Sequence, residues 1–445
     1  MNILVFGSDS SAHVIAWKLV NSAHVQEVIL APGNGGTHFF APATQLNSQD
    51  AGTVASFVLS EEIDLVVADM RGIALGLPDE LRALPLPVIG SSQGFWALRQ
   101  SRCQLREWLH QHGLPLPRGQ VCPTVSQAEK LAATLSLPLT IAADRQDGLV
   151  ITCTDRATIP QAIADCMAAS KAAGIVVEEL VSGPVVTAAV LTDGGYGVSI
   201  PATCLARDPQ SADTAPFMDA DRAAGVHGAA TPLWAKLEGF LEAQVRQPLL
   251  RALHDDGCGA RGWISTICVL GSRGPVVQGL HLVPSGMELA ATLPRLANDL
   301  LPLLLGCARG TLAAAPPPVW EHKAVVGVAL RRADTSHPDY AVSAGTFDSF
   351  EPGMLIFHHA TTPLVPNPYN SRGARLGGRR SSRLGFGGAH LPLEASARGA
   401  TSPLLAIAVG SAPTISAARE HVYTNLRRHP NANISYSAEI GVREL

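Results

Sequence analysis

From its first residues the chain alternates short apolar runs with amphipathic stretches. Residues 3–6, 28–31, 65–68 and 88–90 have strand length, and a helical pattern over 12–20 follows the first of them. Strands alternating with helices predict a parallel sheet covered on both faces. A helix over 101–112 ends at Gly113 with Pro115 and Pro117 beyond, which marks a lobe boundary. The next stretch predicts a strand, a helix over 126–135 capped by Ser126, strands at 139–142 and 150–152, a helix over 159–173 and a strand at 175–178. This is a small α+β lobe. A long helix over 231–253, apolar runs at 262–270 and 275–282 and a closing helix over 289–308 make a further lobe. An Ala-Pro linker at 312–319 leads to strands at 324–330, 353–358 and 404–409 and a helix over 416–426.

The predicted class is therefore α/β in four parts. Residues 1–115 form an N-terminal Rossmann-like domain, 116–192 a small lobe, 193–311 a large lobe and 312–445 a C-terminal mixed α/β domain. The 445 residues are too many for a single core.

Charge narrows the partners. Only 16% of residues are charged and the formal net charge is −4, so the molecule as a whole offers no electrostatic reason to bind nucleic acid or an acidic membrane. The local exception is 371–388, SRGARLGGRRSSRLGFGG, with Arg372, Arg375, Arg379, Arg380 and Arg383 beside Phe386. Arg-Gly mixtures with a stacking aromatic suit a nucleic-acid or acidic protein partner. A solvated, disordered insertion is the other reading. The opening MNILVFGSDSS reads as a first strand and not a signal peptide, and the most apolar run, 300–305, is interrupted by Pro302. A cytoplasmic protein without a membrane span is expected. Eight cysteines lie scattered without metal-ligand spacing and read as ordinary thiols.

Two segments carry a specific resemblance. GSDSSAHVIAWK (7–18) followed by APGNGGT (31–37) resembles the start of glycinamide ribonucleotide synthetase, or phosphoribosylamine-glycine ligase, of the ATP-grasp superfamily. Similar stretches recur in order at 100–119, 175–183, 293–305, 402–426 and the C-terminal YSAEIGVREL. The resemblance implies a preATP-grasp domain, a two-lobed ATP-grasp domain and a C-terminal domain. It implies a ribose-phosphate ligand held by backbone N–H groups at Gly7, Gly33, Gly35, Gly36 and Thr37, with His13 nearby. Replacing Gly35 by a bulky residue is expected to abolish that binding and leave the fold intact. For the nucleotide it points to Arg102, at the place of a family lysine, and to Glu178 and Glu179, where adenine and ribose contacts begin. The residues alone leave two of these open: Glu178 and Glu179 also suit a strand end facing water, and His13 a packing or capping role.

The departures from the family are concentrated on charge. A triphosphate needs cations, and Mg²⁺ needs carboxylate or carbonyl oxygens. Where the family has an E-F-N stretch, this chain has VVQGLHLVPSG (276–286), placing Gly279 and His281 at the metal positions. The glycine-rich phosphate loop is reduced to AADRQDGLVI (142–151) without its lysines, leaving Arg145. The family's G-G-R-E-H is DSSAH (9–13), Met70 replaces an acid in ADMRG, and the D-H-K-R stretch reads LARDP (205–209). Two functions follow as expectations. One is a binding or scaffold protein that has lost standard ligase activity, with ATP and Mg²⁺ doubtful as cofactors. The other is an active ATP-dependent carboxylate-amine ligase, the family's own or one with an altered substrate, favoured if Glu288 or Asp208 approaches the nucleotide cleft.

Overall fold

The computed structural model describes residues 1–146, 148–170, 174–207, 223–333, 342–347, 350–351, 353–362 and 404–442. The Arg/Gly stretch 371–388 and Asp208 lie outside the described residues.

The N-terminal unit is a four-stranded parallel sheet in the order Glu27–Pro32, Asn2–Gly7, Ile63–Val67, Val88–Ile89. Its strands are near-continuous apolar runs because both faces are covered. The helix Ser10–Val20 starts just past the first strand, with Asp9 as N-cap accepting from the Ala12 N–H at 3.0 Å. The small lobe is a four-stranded antiparallel sheet in the order Gly119–Cys122, Ile175–Glu179, Leu139–Ala143, Val150–Cys153. Helices Val125–Thr134 and Ile159–Ala169 complete its own core around Ile141, Ile163 and Val177.

A nine-stranded sheet forms the rest of the body. Its order is Gly274–His281, Gly262–Gly271, Val185–Thr192, Gly197–Ala206, Gly225–Gly228, Ala324–Arg332, Leu404–Ala412, Leu355–His358, with Ile434–Ser435 off Ala324–Arg332. Strand Val185–Thr192, counted with the small lobe in the sequence division, hydrogen-bonds on both edges inside this large sheet. Strands of the C-terminal part continue the same sheet through the pairing of Gly225–Gly228 with Ala324–Arg332.

The stretch expected as one helix over 289–308 is two. Gly286–Thr292 is α-helical, a short 3₁₀ turn follows at Leu293–Arg295, and Leu301–Arg309 begins after the Asp299 carboxylate accepts from the Leu301 N–H at 2.9 Å. Pro294 supplies no N–H to continue the first segment. All seven residues of Gly286–Thr292 are buried, against helix Ser10–Val20 and the large sheet. Met287 and Leu289 there contribute about 1.5–3 kcal/mol each by burial. A Cβ on Gly286 would overlap Ser10 Oγ, so glycine is what lets this helix lie against the first one. Among the described residues no helix is long and apolar enough to cross a membrane. The eight cysteines are unpaired thiols, all buried except the half-buried Cys258.

Candidate functional site

The C-terminal ends of the parallel strands, the small lobe and the large sheet converge on a cavity of about 850 Å³. The N-terminal wall carries Gly7, Asp9, Asp69, Met70 and Ile73. The segment joining that domain to the small lobe contributes Trp96, Arg99 and Arg102; the small lobe Gln146 and Val150; the large lobe Arg261, Trp263 and His281. Strand ends of an open parallel sheet are where such folds bind ligands, because the backbone there is not committed to the ladder.

The two carboxylates of the N-terminal wall are both helix caps. Asp9 caps Ser10–Val20, and Asp69 Oδ1 accepts from the Gly72 N–H at 2.8 Å. Burial raises the Asp69 carboxyl above its ordinary range, with the Asp9 charge adding to the rise, while hydrogen bonds from Gly72 and Ser48 and the charge of Arg71 oppose it. The guanidiniums are tied to main-chain oxygens. Arg99 Nε donates to Leu280 O at 3.0 Å, Arg102 donates to Arg145 O and Gln146 O at 2.6 Å each, and Arg261 donates to Ala308 O at 2.8 Å. Carbonyls orient these cations without cancelling their charge.

Of the residues expected to hold a ribose phosphate, Gly7 lines the cavity. The 33–37 loop is spent on the fold: Gly33 N–H donates to Gly7 O, Asn34 N–H to Thr37 Oγ1, Gly35 N–H to Thr361 O, and the Gly36 and Thr37 N–H groups to Asn34 Oδ1. The segment 358–362 of the C-terminal part lies on this loop. A Cβ on Gly35 would overlap the Thr362 carbonyl, so the expectation that Gly35 can be enlarged without touching the fold does not hold. His13 faces the same way. It is 4% exposed, stacks on His358 at 5.5 Å and accepts from the His358 N–H at 3.1 Å. Burial, and secondarily the neighbouring His358, holds its pKa down to about 3. The packing reading left open in the sequence describes its surroundings.

Of the residues expected to contact a nucleotide, Arg102 lines the cavity and borders a small pocket of about 50 Å³. Glu178 lines that pocket, ion-paired with Arg106, and burial raises its carboxyl against the pull of Arg106 and Arg102. Glu179 turns to the small lobe, accepting from the Ser136 N–H at 2.8 Å and facing Arg118 at 3.4 Å. The neighbours in sequence therefore diverge, as strand residues on opposite faces must. Gly279 sits within the Ile267 pairing of the sheet, and His281 borders the main cavity. Glu288 is 1% exposed, receives a 3.1 Å hydrogen bond from Ser265 and has its pKa raised by burial to about 7. Among the described residues no three His, Cys, Asp or Glu side chains group at metal-binding distance.

The sequence did not single out Asp69, Trp96, Arg99, Arg261 or Trp263. Asp69 had a signal, standing beside Met70 in the motif compared with the family; the others come from separate elements and meet only in the fold.

A family profile described as "Phosphoribosylglycinamide synthetase, N domain" matches residues 1–97. A phosphoribosylamine–glycine ligase from Caulobacter vibrioides is 27% identical over 392 residues, 84% of this chain and 89% of that protein. Among solved structures, phosphoribosylamine–glycine ligase from Thermotoga maritima superposes with a TM-score of 0.71 at 15% identity, covering 99% of this chain and 100% of that one. A biotin carboxylase from Campylobacter jejuni, solved as a β,γ-ATP complex, gives 0.62 at 10% identity, covering 100% of this chain and 98% of that one. The expectation of lost ligase activity draws no support from these likenesses. The chain has the ATP-grasp fold, with a preATP-grasp domain at its N-terminus, and is a strongly diverged relative of the phosphoribosylamine–glycine ligases.

Proposed function

We propose that the chain is an ATP-dependent carboxylate–amine ligase with an altered substrate site. The observation that carries this reading is the cavity where the N-terminal domain, small lobe and large lobe meet, with carboxylates on the N-terminal wall and guanidiniums from the joining segment and the large lobe. An enzyme that joins an amine to an activated carboxylate must hold one cationic and one anionic partner together while excluding water. The relatives named as ligases across most of this chain support the same class.

The donor set bears on the cofactors. Arg102, on the joining segment, and the Gln146 side chain of the small lobe suit a nucleotide's phosphates, and ATP is part of the proposal. Gly279 and His281 do not fit Mg²⁺, which takes hard oxygens, and Glu288 is enclosed in the core with Ser265. The roles assigned to this chain's residues are to bind and orient: Asp9 and Asp69 the amine, Arg102 and Arg99 the anionic groups.

A binding protein without ligation is the second reading, favoured by one observation. The Arg106–Glu178 pair occupies the small pocket next to Arg102, on the side where the resemblance puts adenine.

ADP release, measured with ATP, Mg²⁺ and pooled amino acids and amines, separates the two. Release that requires both a carboxylate and an amine is expected. A protein that releases no ADP with any pool and gives no heat on titration with ATP would leave only the binding reading.

A further inference from the structure

Resting on the ligase reading above, we infer that the amine accepted by this chain is an unphosphorylated one with an apolar body, bound as its ammonium form between Asp9 and Asp69. Three observations converge on it.

The phosphate cradle is closed. Each N–H group from Gly33 to Thr37 is already donated within the fold, and 358–362 lies over the loop. The start of helix Ser10–Val20, which would otherwise attract an anion, is capped by a carboxylate that faces the cavity. A phosphate placed there would meet Asp9 head on, and the repulsion outweighs the partial charge of a helix end.

The same place suits a cation. Asp9 and Asp69 are close enough to act on each other's charge, and both line the cavity. Each gives one oxygen to a helix cap and Asp69 also accepts from Ser48, but the two oxygens of a carboxylate offer about four acceptor positions, so both groups keep capacity for a ligand's N–H. The cation next in sequence, Arg71, attracts Asp69, and Arg261 is turned to Ala308 O. An ammonium between two carboxylates relieves their repulsion and satisfies both.

Around the carboxylates the wall is apolar: Met70, Ile73 and Ile89 from the N-terminal domain, Leu300 and Leu304 from the large lobe. A sugar phosphate would leave its hydroxyls unpaired against these side chains, whereas a hydrocarbon or aromatic body is stabilised by them.

The test is calorimetric titration of the full chain at pH 7.5 with n-hexylamine, 2-phenylethylamine, 2-phenylethanol and ribose 5-phosphate, beside the ADP-release assay. At least one amine should bind with a sub-millimolar Kd, and 2-phenylethanol at least about tenfold more weakly than 2-phenylethylamine, since it lacks the charge-assisted bonds. Ribose 5-phosphate should give no heat at millimolar concentration. In Asp69→Asn the amine should lose about tenfold in affinity while the alcohol is unaffected, because asparagine retains the helix cap. Asp9→Asn serves the same purpose if the first variant folds poorly. Ribose 5-phosphate binding better than the amines, neither amine binding at millimolar concentration, or amine affinity untouched in both variants would each overturn the inference. The two readings fail separately: an amine that binds without ADP release sinks the ligase and keeps the site, whereas ADP release driven by a phosphorylated amine alone does the reverse.

Discussion

The ring of His358, from the C-terminal part of the chain, occupies the place where a Cβ on Gly36 of the N-terminal domain would sit. His13 Cε1 would be 2.6 Å from the same atom, so the glycine is squeezed between two imidazoles. The contact binds a loop of the first domain to a strand end more than three hundred residues later, and it explains why this turn is glycine without appeal to a ligand.

Gly36→Ala is therefore expected to destabilise the protein by about 1–3 kcal/mol, the usual cost of overpacking a filled site. Urea unfolding compares the midpoints at equal slope. A variant as stable as the parent would mean that 358–362 does not rest on the loop in solution.

The two stacked histidines set a pH dependence. His13 and His358 are held to about 3 and about 4, chiefly by burial, against an ordinary value near 6.5. Below the ordinary value the unfolded chain takes up protons that the folded one refuses. Their contribution to stability is complete above about pH 6.5 and is lost as pH falls toward 4, by up to about 1.4 kcal/mol per pH unit for each ring. Unfolding free energies of the parent and of His358→Asn between pH 7 and 5 check this. The variant should show the shallower slope, and parallel slopes would refute it.

Glu288 acts in the opposite sense. Its folded-state pKa, raised by burial to about 7, exceeds the ordinary value of 4.5, so the folded chain holds the proton longer than the unfolded one. Stability is lost as pH rises from about 4.5 to about 7. Glu288→Gln, which retains an acceptor for Ser265, is expected to match the parent at pH 5 and exceed it at pH 8. Thermal melts at the two values decide it; a variant weaker at both would show that the carboxylate is needed ionised.

The Arg106–Glu178 pair is partly exposed, and its removal is expected to be one-sided. Arg106→Leu strands the Glu178 carboxylate beside Val176 and Val277 and should cost about 1–3 kcal/mol. Adding Glu178→Leu should recover part of that loss. Melting temperatures of the single and double variants report the coupling, and ATP titration of the double variant tells whether the pair obstructs a nucleotide.

Local chemistry written in the chain was enough for many of the elements, but strands Val185–Thr192, Gly197–Ala206 and Gly225–Gly228, central to the large sheet, were not read from it. The parallel N-terminal sheet, the helix ending before Gly113 and the small α+β lobe follow from apolar period, caps and glycine stops, which act within a few residues. The 289–308 stretch is two helices because Pro294 and the Asp299 cap interrupt a mainly apolar pattern. Motif similarity carried the ATP-grasp fold, because glycine positions at close backbone approaches persist when charges do not. What the loop at 33–37 does was beyond it. Whether a glycine N–H is free for phosphate or donated to Thr361 O depends on a segment hundreds of residues away, and no local pattern encodes that distance. The same holds for the cavity: Asp9 and Asp69 each cap a helix locally, and become a paired negative wall only when two parallel strands end side by side.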